Sequence, residues 1–506
     1  IDITEVIEEI RAKNITLPTV IRFHDILRSQ VVNLNRTFRD VIENAGYQGH
    51  YYGVYPIKVN QMREVVEEII DAGAPYNFGL EAGSKPELLA ALAMNTNRDS
   101  LTILNGYKDE DYLRLALLGR KLGRKIIVVI EKFSELPLLL KLSQEMNVQP
   151  MIGLRAKLSA EGSGRWAESA GERAKFGLTI PEILNAIKLI KDAGRQEDLK
   201  LFHFHVGSQI TDIRTVKDAI TEGARIYAKI VQMNIELEYF DVGGGLGIDY
   251  DGSRSTSYSS TNYTLRDYIE DVVYILKQVC DLEEVKHPHI VSESGRFISA
   301  SHSCVIFNAF DHIKPGNDNY PTDKTTGEHI MVSNMRDLLK DITPKNLQET
   351  YNDALQLKDQ SINAFKLGIL SLEERAKIET MYWGICQKVS PMLKEMEFIP
   401  EGLKELGNFL SHQYLCNFSI FQSTPDAWAI GQLFPIIPLT RLNEKPLISC
   451  TLADITCDSD GKIDSFIDIT DTKKSLMVHP LISNQHYYMG IFLTGAYQEV
   501  MGDMHN

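Results

Sequence analysis

The 506-residue chain carries 53 lysines and arginines against 68 aspartates and glutamates, which gives a formal net charge of -15. With 43% hydrophobic and 24% charged residues it can form two or three domains, and fibrous, collagen-like and disordered classes are excluded. The acidic charge repels nucleic-acid phosphates and anionic lipid, and no apolar run approaches the roughly 20 residues that span a bilayer. We therefore expect neither nucleic acid nor a membrane as a partner.

The six cysteines form no CxxC pair and no dense framework. Reduced thiols and a cytoplasmic location are therefore expected, rather than disulfides or a structural zinc site. The cysteines are Cys280, Cys304, Cys386, Cys416, Cys450 and Cys457. The chain starts at Ile1 without a signal-peptide pattern, and residues 498–506 have a helical pattern, so we expect both natural ends of the protein to lie beyond this sequence.

Residues 1–24 are expected to lead into a barrel that occupies residues 25–300. Short apolar or β-branched runs alternate there with amphipathic stretches, which is the pattern of parallel βα units. Strict alternation favours a closed (β/α)8 barrel over an open sheet. The expected strands are 51–59, 76–80, 101–104, 125–130, 151–154, 201–206, 237–242 and 289–291. The helical stretches include 61–72, 85–94, 109–122, 181–192, 216–233 and 265–280.

The pattern changes after residue 300. Residues 332–408 are mostly helical in pattern, with leucines among many charges, and predict a helical insertion. Residues 301–331 and 409–506 flank the insertion and carry strand-like runs with turn signals, which favour an antiparallel β-domain. Its expected strands are 300–311, 418–421, 433–439, 447–451, 463–469 and 487–493.

Polar or glycine residues follow nearly every barrel strand at its carboxyl end. In chain order they are Lys58, Glu81, Asn105, Glu131, Arg155, His205, Gly243 to Gly245 and Glu293. A single polar residue at a strand end is common and carries little information. A full set of them predicts an active site, because barrel enzymes build their sites on this rim.

Lys58 ends the first barrel strand, in the run Val54-Tyr55-Pro56-Ile57-Lys58. In a barrel mouth, desolvation would disfavour its ammonium form and favour Schiff-base chemistry with a carbonyl cofactor. The alternative is a lysine that extends from the strand end into solvent.

Glycine-containing motifs follow the last two barrel strands. Gly243, Gly244 and Gly245 would let backbone N–H groups surround a phosphate, or they form a tight turn without a ligand. After the eighth strand, a buried Glu293 could hold a protonated pyridine nitrogen while Arg296 reaches a phosphate. An internal Glu293–Arg296 ion pair is the alternative.

Two further pairs of residues could bind a metal or a cofactor, or transfer a proton. His203 and His205 share one face of a strand and could bind a metal, but no third ligand stands at a recognisable spacing. An imidazole in this place also suits stacking on a planar cofactor ring. The Cys457-Asp458 pair lies in the β-region, where the thiol could supply a proton or simply be half-buried.

Lysine on the first strand, histidine on the sixth, three glycines on the seventh and Glu-x-Gly-Arg on the eighth resemble the pyridoxal-phosphate decarboxylases of fold type III. The resemblance is closest to the bacterial arginine decarboxylases and covers essentially the whole chain. The matching stretches are 55–61, 79–88, 203–209, 243–252, 417–419 with 421–423, and 495–499.

The resemblance implies pyridoxal 5'-phosphate held covalently by Lys58, with His205 stacked on its ring and Glu293 on its ring nitrogen. Other cofactor residues are implied at Arg155, Ser208, Gly243, Gly244, Gly245, Gly295, Arg296 and Tyr497. Substrate residues are implied at Asp241, Leu246, Gly247, Asp426, Cys457 and Asp458. Cys457, as proton donor, and Asp458 would enter the neighbouring subunit's site, which implies a homodimer with shared sites; a homotetramer is expected as well.

The implied reaction converts L-arginine to agmatine and CO2, the first step of a polyamine route that leads to spermidine. Carboxylates suit the planar cation of arginine, and Asp458 is the first candidate, with Glu499 and Asp426 behind it. The family is described as using Mg2+, for which the sequence shows no cluster of oxygen ligands.

Two alternatives remain at this stage. Decarboxylation of ornithine or diaminopimelate predicts a shorter pocket and no helical insertion. A non-catalytic regulator similar to antizyme inhibitor would keep the fold without needing Lys58, His205, Glu293, Arg296 and Cys457 together.

Overall fold

The first two elements are helix α1 (Ile3–Ala12) and strand β1 (Thr19–Arg22). They are not part of the barrel but lie beside the second domain, which is the β-domain that follows residue 300. Strand β1 pairs antiparallel with residues 303–306, and α1 buries Ile7 and Ile10 against Cys304 and Ile306. The structure is a computed structural model that describes residues 1–159, 174–316, 320, 323–393, 396, 398–468 and 472–505. The N-terminal segment therefore contributes a strand to the second sheet before it enters the barrel.

Eight parallel strands close into a barrel, which confirms the predicted fold class. The strands are β2 (Tyr51–Pro56), β3 (Gly79–Ala82), β4 (Leu101–Leu104), β5 (Lys125–Ile130), β6 (Met151–Arg155), β7 (Leu199–His203), β8 (Tyr239–Asp241) and β9 (His289–Ser292). Helix α2 (His24–Ala45) precedes them, and α3 (Arg63–Gly73), α4 (Lys85–Met94), α5 (Glu110–Lys121), α6 (Glu135–Glu145), α7 (Ile180–Asp192), α8 (Ile213–Gln232) and α9 (Leu265–Leu282) surround them.

Side-chain alternation along the strands fills the barrel interior. Leu101 and Ile103 of β4 point into an interior cluster with Val129 and Val291, whereas Leu104 packs against the surrounding helices. Successive side chains of a strand point to opposite faces, so a strand that is buried on both faces needs an unbroken apolar run. The barrel is thus a packed core, and ligands have access only at its rim.

The second domain is built on a sheet with the strand order β12-β18-β10-β11-β13-β14, with β1 added on β10 and β17 on β13. Helix α10 (Gly295–Ser299) joins it to the barrel. Its strands are β10 (Ser303–Ile313), β11 (His412–Cys416), β12 (Ile436–Pro438), β13 (Ile448–Ala453), β14 (Lys462–Ile463), β17 (Leu476–Val478) and β18 (Tyr487–Phe492), and β15 (Phe466–Ile467) pairs separately with β16 (Thr472–Lys473).

Two details of this domain correct the prediction. The sheet is mixed and not purely antiparallel, because β11 and β13 run parallel, with His412 opposite Cys450. The expected strand at 418–421 is wrong, because a short helix begins at Ile420. The Asp454 carboxylate accepts the backbone N–H of Ile420 at 2.9 Å and so satisfies the first turn of that helix from a distant part of the chain.

The predicted helical insertion is confirmed. It contains α11 (Ile330–Lys340), α12 (Leu347–Lys366), α13 (Leu372–Leu393), α14 (Glu401–Lys404) and α15 (Leu406–Phe409). Val332, Met335, Ile378 and Ile385 belong to its own buried core.

The last short helices of the second domain are α16 (Ile420–Ser423), α17 (Pro425–Ala429) and α18 (Gln498–Met501). Within the described residues, no helix combines the length and the apolar character that a membrane crossing requires.

Candidate active site

Lys58 lies in a single 3-10 turn directly after β2 and faces a cleft at the carboxyl ends of the barrel strands. Its Nζ atom lies 3.6 Å from Oε2 of Glu81. Glu81 is fully buried in the neighbouring strand β3, where it pairs with Pro56 of β2. The Lys58 side chain is 51% exposed, and this exposed part opens into the cleft. The lysine therefore presents its amine to a ligand bound in the cleft.

The cleft encloses about 430 Å³ when its open mouth is counted. Residues from the barrel rim and from the turn before α18 line it together. They are Pro56, Lys58, Val59, His205, Ser208, Gln209, Gly244, Gly245, Leu246, Glu293, Ser294, Gly295, Arg296 and Tyr497. Ten residues that the sequence predicted for the site are thus brought together.

The direction of the Lys58 pKa corrects the sequence-based expectation. The nearby Glu81 carboxylate raises the pKa of Lys58, and this effect outweighs the desolvation that was expected to lower it. Glu293 adds a smaller contribution in the same direction. Without a bound ligand, Lys58 is therefore a cation held by a buried acid, and a covalent ligand has to displace that proton.

Glu293 stands at the centre of a buried polar group. The side-chain amide of Asn105 donates a 2.7 Å hydrogen bond to Glu293 Oε1, and His203 Nδ1 lies 3.0 Å from Asp241 Oδ2 and 4.0 Å from Glu293 Oε1. Burial raises the pKa of Glu293 well above its usual range, and Asp241 and Glu81 raise it further. A cation that binds beside Glu293 would be stabilised by its ionised form.

The three glycines after β8, Gly243 to Gly245, allow neighbouring groups to approach the backbone closely. Gly243 has φ +67°, and a Cβ atom there would lie 2.5 Å from the Phe204 carbonyl oxygen. Gly245 has φ +104°, and its Cβ atom would lie 2.6 Å from the Ile210 side chain. A side chain at either position would be strained and would collide with its neighbours, so the backbone there requires glycine.

Arg296 supplies positive charge at the same end of the cleft. Its guanidinium donates to the Tyr250 hydroxyl at 3.0 Å and to Ser208 Oγ at 3.1 Å, and its Cζ atom lies 4.8 Å from the Tyr497 ring centroid. Its buried Nε atom has no hydrogen-bond partner among the described residues. The Glu293–Arg296 ion pair, which was the alternative to a phosphate role, is not among these contacts, and the unpartnered Nε donor suits an anionic ligand.

His205 and Arg155 complete the rim. His205 lies two residues beyond the end of β7, and its Nδ1 accepts the backbone N–H of Gly244 at 3.2 Å. Burial lowers the pKa of His205 well below its usual range, and Arg155 and Lys58 lower it further, so the ring is neutral. Arg155 forms a buried ion pair with Glu131 behind the cleft.

Several predicted residues do not line the cleft, which is defined here from the described residues. Asp241 supports it from below, because its Oδ1 accepts the Gly243 N–H at 2.9 Å. Gly247 donates its N–H to the Tyr263 hydroxyl, and Asp426 accepts from the Gln498 amide at 2.7 Å. The other predicted residues outside the lining are Arg155, Gly243, Cys457 and Asp458, and the last two are exposed on the turn after β13.

Two features of the site were missed in the sequence. Tyr250 holds Arg296, and although it lies in the matching stretch 243–252, no spacing or residue type there assigned it a role. His203 groups with Asp241 and Glu293, with one ligand atom of each within 4.8 Å of the others, and not with His205. The pairing of strands β7, β8 and β9 creates this group, which spacing along one strand cannot show.

Comparison with known proteins identifies the class. Residues 31–300 match the family described as "Pyridoxal-dependent decarboxylase, pyridoxal binding domain", and residues 325–407 match the "Arginine decarboxylase helical bundle domain". The fold and the cleft therefore define a pyridoxal-dependent decarboxylase with a helical bundle insertion.

Individual relatives narrow this class. The chain is 46% identical over 508 residues to the biosynthetic arginine decarboxylase of Gloeobacter violaceus. This alignment covers 100% of this chain and 78% of that protein. The crystal structure of the biosynthetic arginine decarboxylase from Campylobacter jejuni matches with a TM-score of 0.86 and 34% identity, and covers 99% of this chain and 81% of that one. The chain belongs to the biosynthetic arginine decarboxylase family.

A more distant likeness shows the fold alone. Diaminopimelate decarboxylase from Helicobacter pylori, solved in complex with L-lysine, matches with a TM-score of 0.64 at 16% identity. That match covers 98% of this chain and 90% of the other. The barrel and sheet are thus shared by decarboxylases with different substrates, and the fold by itself does not choose among them.

Proposed function

We propose that this protein decarboxylates L-arginine to agmatine and CO2 with pyridoxal 5'-phosphate, as the first step of a polyamine route. The observation that carries the proposal is one cleft that holds the Lys58 amine, the Glu293 carboxyl and the cradle of Gly244, Gly245 and Arg296. The full-length likeness to biosynthetic arginine decarboxylases supports arginine as the substrate.

The residues in the cleft fit pyridoxal phosphate at three points. Arg296 has a buried, unpartnered Nε donor, which suits the phosphate, and Ser208 and the glycine cradle lie at the same end. Glu293 suits the ring nitrogen, and neutral His205 suits the ring face. Lys58 supplies the amine for the covalent attachment. We assign these roles together with Gly295 and Tyr497, which also line the cleft.

The chemistry can be derived for the chain's own residues. When bound, pyridoxal phosphate supplies the electron sink for the carbanion that loss of CO2 leaves. Glu293 holds a proton at the ring nitrogen, because an ionised carboxylate favours the cationic form beside it. Lys58 would hold the cofactor through its amine, and Glu81, whose Oε2 lies 3.6 Å from that amine, would stabilise the ammonium form whenever the amine is free and protonated. His205 and Leu246 limit the space on the cleft walls.

Cys457 and Asp458 are proposed to act in the site of a partner subunit. Both lie on an exposed turn outside the cleft of their own chain, as such a role requires. Cys457 would return a proton to the substrate Cα, and Asp458 would contact the guanidinium. The other two carboxylates considered for the substrate guanidinium already have partners within the chain, since Glu499 pairs with Arg22 and Asp426 accepts a hydrogen bond from Gln498. A homodimer with shared sites follows, and a tetramer stays a prediction.

Magnesium dependence and a cytoplasmic location also stay predictions. Among the described residues, the cluster with metal-ligand spacing is the buried group of His203, Asp241 and Glu293. This group lies under the proposed position of the pyridine ring, and its histidine nitrogen suits Mg2+ poorly, because that ion prefers oxygen ligands. We therefore assign no residue to magnesium.

A substrate panel tests the proposed activity. Purified protein with added pyridoxal phosphate is expected to release CO2 from arginine at least roughly a hundredfold faster than from ornithine, lysine or diaminopimelate, because a site that pairs with a planar cation rejects ligands that leave its carboxylates unpaired. Faster release from ornithine or diaminopimelate would assign the chain to the alternative substrates. No release from any of them, with no colour on cofactor addition, would favour the non-catalytic regulator.

Hybrid dimers test the shared site. Lys58→Ala and Cys457→Ala chains are each expected to be impaired, and Cys457→Ala should keep its cofactor. Mixing and exchanging the subunits should restore roughly a quarter of the parent sites, since half the dimers are hybrids and one of their two sites is intact. Mixing two samples of the same variant is the control. If the mixture recovers nothing although subunits demonstrably exchange, Cys457 does not act across the interface.

A further inference from the structure

Tyr497 holds a backbone conformation that its sequence neighbours do not explain. Its φ angle is +69°, in the left-handed region that bulky residues avoid. Such a conformation persists only where surrounding contacts impose it, and it often marks a functional site. Tyr497 lies immediately before α18 and lines the cleft beside Lys58 and Arg296.

Backbone contacts fix Tyr497 beside the lysine turn. The Tyr497 N–H donates to the Val59 carbonyl oxygen at 2.8 Å, one residue after Lys58. The following residue, Gln498, exchanges hydrogen bonds with Asp426, from its amide to Oδ2 at 2.7 Å and from the Asp426 N–H to its Oε1 at 3.1 Å. Both contacts act on the backbone around Tyr497, and neither requires a charge at residue 499.

The Glu499 carboxylate adds an ionic tether to the same turn. Arg22 of strand β1 donates to it from Nε at 3.0 and 3.2 Å and approaches from Nη2 at 2.8 Å, and the Asn60 side-chain amide donates at 2.9 Å. The Glu499 side chain is only 9% exposed, whereas that of Arg22 is 29% exposed. Strand β1, the residue two positions after Lys58 and the turn of Tyr497 therefore meet at one carboxylate.

The Tyr497 ring contacts Arg296 at the end of the cleft that is assigned to the cofactor phosphate. It lies 4.8 Å from the Arg296 guanidinium, which in turn holds Ser208 Oγ. A shift of the Tyr497 turn would displace the ring from Arg296 and from the place assigned to the cofactor phosphate. The Lys58 amine itself is held by a different carboxylate, that of Glu81.

We propose that Glu499 is a positioning residue that acts through Arg22 and Asn60 to hold Tyr497 at the phosphate end of the cofactor site. The inference rests on the proposed function, because it takes Arg296 and Tyr497 as phosphate residues. It gives strand β1 a direct part in cofactor affinity, although that strand belongs to the second sheet and lies 36 residues before Lys58 in the chain. It also removes Glu499 from the candidates for substrate recognition.

The test compares a cofactor that carries the phosphate with one that lacks it. For Glu499→Gln, the dissociation constant of pyridoxal 5'-phosphate measured by visible absorbance is expected to rise roughly tenfold, because a hydrogen bond to a charged group weakens. The constant for pyridoxal should change by less than about twofold, since glutamine keeps an acceptor for the Asn60 amide and the Lys58 amine keeps its contact with Glu81. Arg22→Gln removes the same tether from the other side and is expected to show the same selectivity.

Two further variants separate the possible outcomes. Glu328→Gln breaks a buried ion pair with Arg336 in the helical insertion, and it should leave both constants unchanged. Tyr497→Ala removes the ring that contacts Arg296 and should also weaken pyridoxal phosphate selectively; if it does not, the phosphate role of Tyr497 in the proposed function is wrong. If Tyr497→Ala is selective but Glu499→Gln and Arg22→Gln weaken both ligands equally, or neither, the positioning role of Glu499 is overturned.

Discussion

Replacement of Lys58 with alanine is expected to slow arginine decarboxylation by roughly a thousandfold or more and to abolish the visible band of the cofactor-loaded protein. The reason is geometric, because Lys58 supplies the amine of the cleft from the turn that follows β2. Its Nζ atom is held 3.6 Å from a buried carboxylate and faces the same space as Glu293 and Arg296. The absorbance spectrum and the rate of CO2 release measure the two effects independently.

A second substitution separates covalent attachment from charge. Lys58→Arg keeps a cation beside Glu81 but cannot form the covalent bond, so it should be as inactive and colourless as Lys58→Ala. Lys85→Ala is the matched control, since that lysine is partly exposed and pairs with Asp109 on the surface. An active, coloured Lys58→Arg enzyme would show that only the charge at this position matters.

Replacement of Glu293 with glutamine is expected to lower turnover by roughly a hundredfold to a thousandfold, which is typical when one preorganised electrostatic contact is removed from a site. Glutamine keeps the acceptor for the Asn105 amide but cannot ionise beside the ring nitrogen. Cofactor attachment through Lys58 should persist, so the protein should stay coloured while its turnover falls. A variant with normal turnover would remove Glu293 from its assigned position.

The same substitution should stabilise the cofactor-free protein. Burial, Asp241 and Glu81 raise the pKa of Glu293 in the folded state above its unfolded value. A carboxyl with a raised folded pKa favours the folded state at low pH, and this stability is lost as the pH rises through the folded pKa. Cofactor-free Glu293→Gln is therefore expected to unfold on the order of 2 °C higher than the parent at pH 8, with a smaller difference towards pH 5. A lower unfolding temperature at pH 8 would contradict this account.

Local patterns were sufficient for the barrel and for most of the cleft. Alternating apolar runs located the strands within a few residues, and their carboxyl ends gave the positions of Lys58, His205 and Glu293. This succeeds because parallel barrel strands all end at one rim, so sequence position alone assigns a residue to the site. The predicted helical insertion was similarly clear from its period.

Contacts between distant parts of the chain could not be predicted in this way. The short helix that begins at Ile420, where a strand was expected, has its first turn capped by Asp454, and strand β11 pairs in parallel with β13, which lies more than 30 residues further along the chain. The partner of Glu499 is Arg22, which lies 477 residues earlier. The pKa of Lys58 was mispredicted because desolvation was considered without the acid from the adjacent strand, although Pro56 and Glu81 are directly paired there. The predicted domain boundaries and the roles assigned to individual residues stay predictions.

Lys108 is a second lysine of the barrel whose amine could in principle bind the cofactor covalently in place of Lys58. Lys108 is fully buried beside Glu135, and its Nζ atom donates to the Gly106 carbonyl oxygen at 2.6 Å. Burial lowers the pKa of Lys108, although Glu135 opposes this, whereas the pKa of Lys58 is raised by Glu81. Lys108 does not line the cleft defined by the described residues, whereas Lys58 does, and we therefore assign the cofactor to Lys58 despite its less favourable pKa.

Borohydride reduction of the cofactor-loaded protein, followed by peptide mass spectrometry, tests this assignment most directly. The reduced cofactor is expected on the peptide that contains Lys58, in a stoichiometry that matches the lost visible band. Its appearance on the Lys108 peptide, or its absence from every lysine of a protein that binds pyridoxal phosphate and releases CO2 from arginine, would contradict the proposed site.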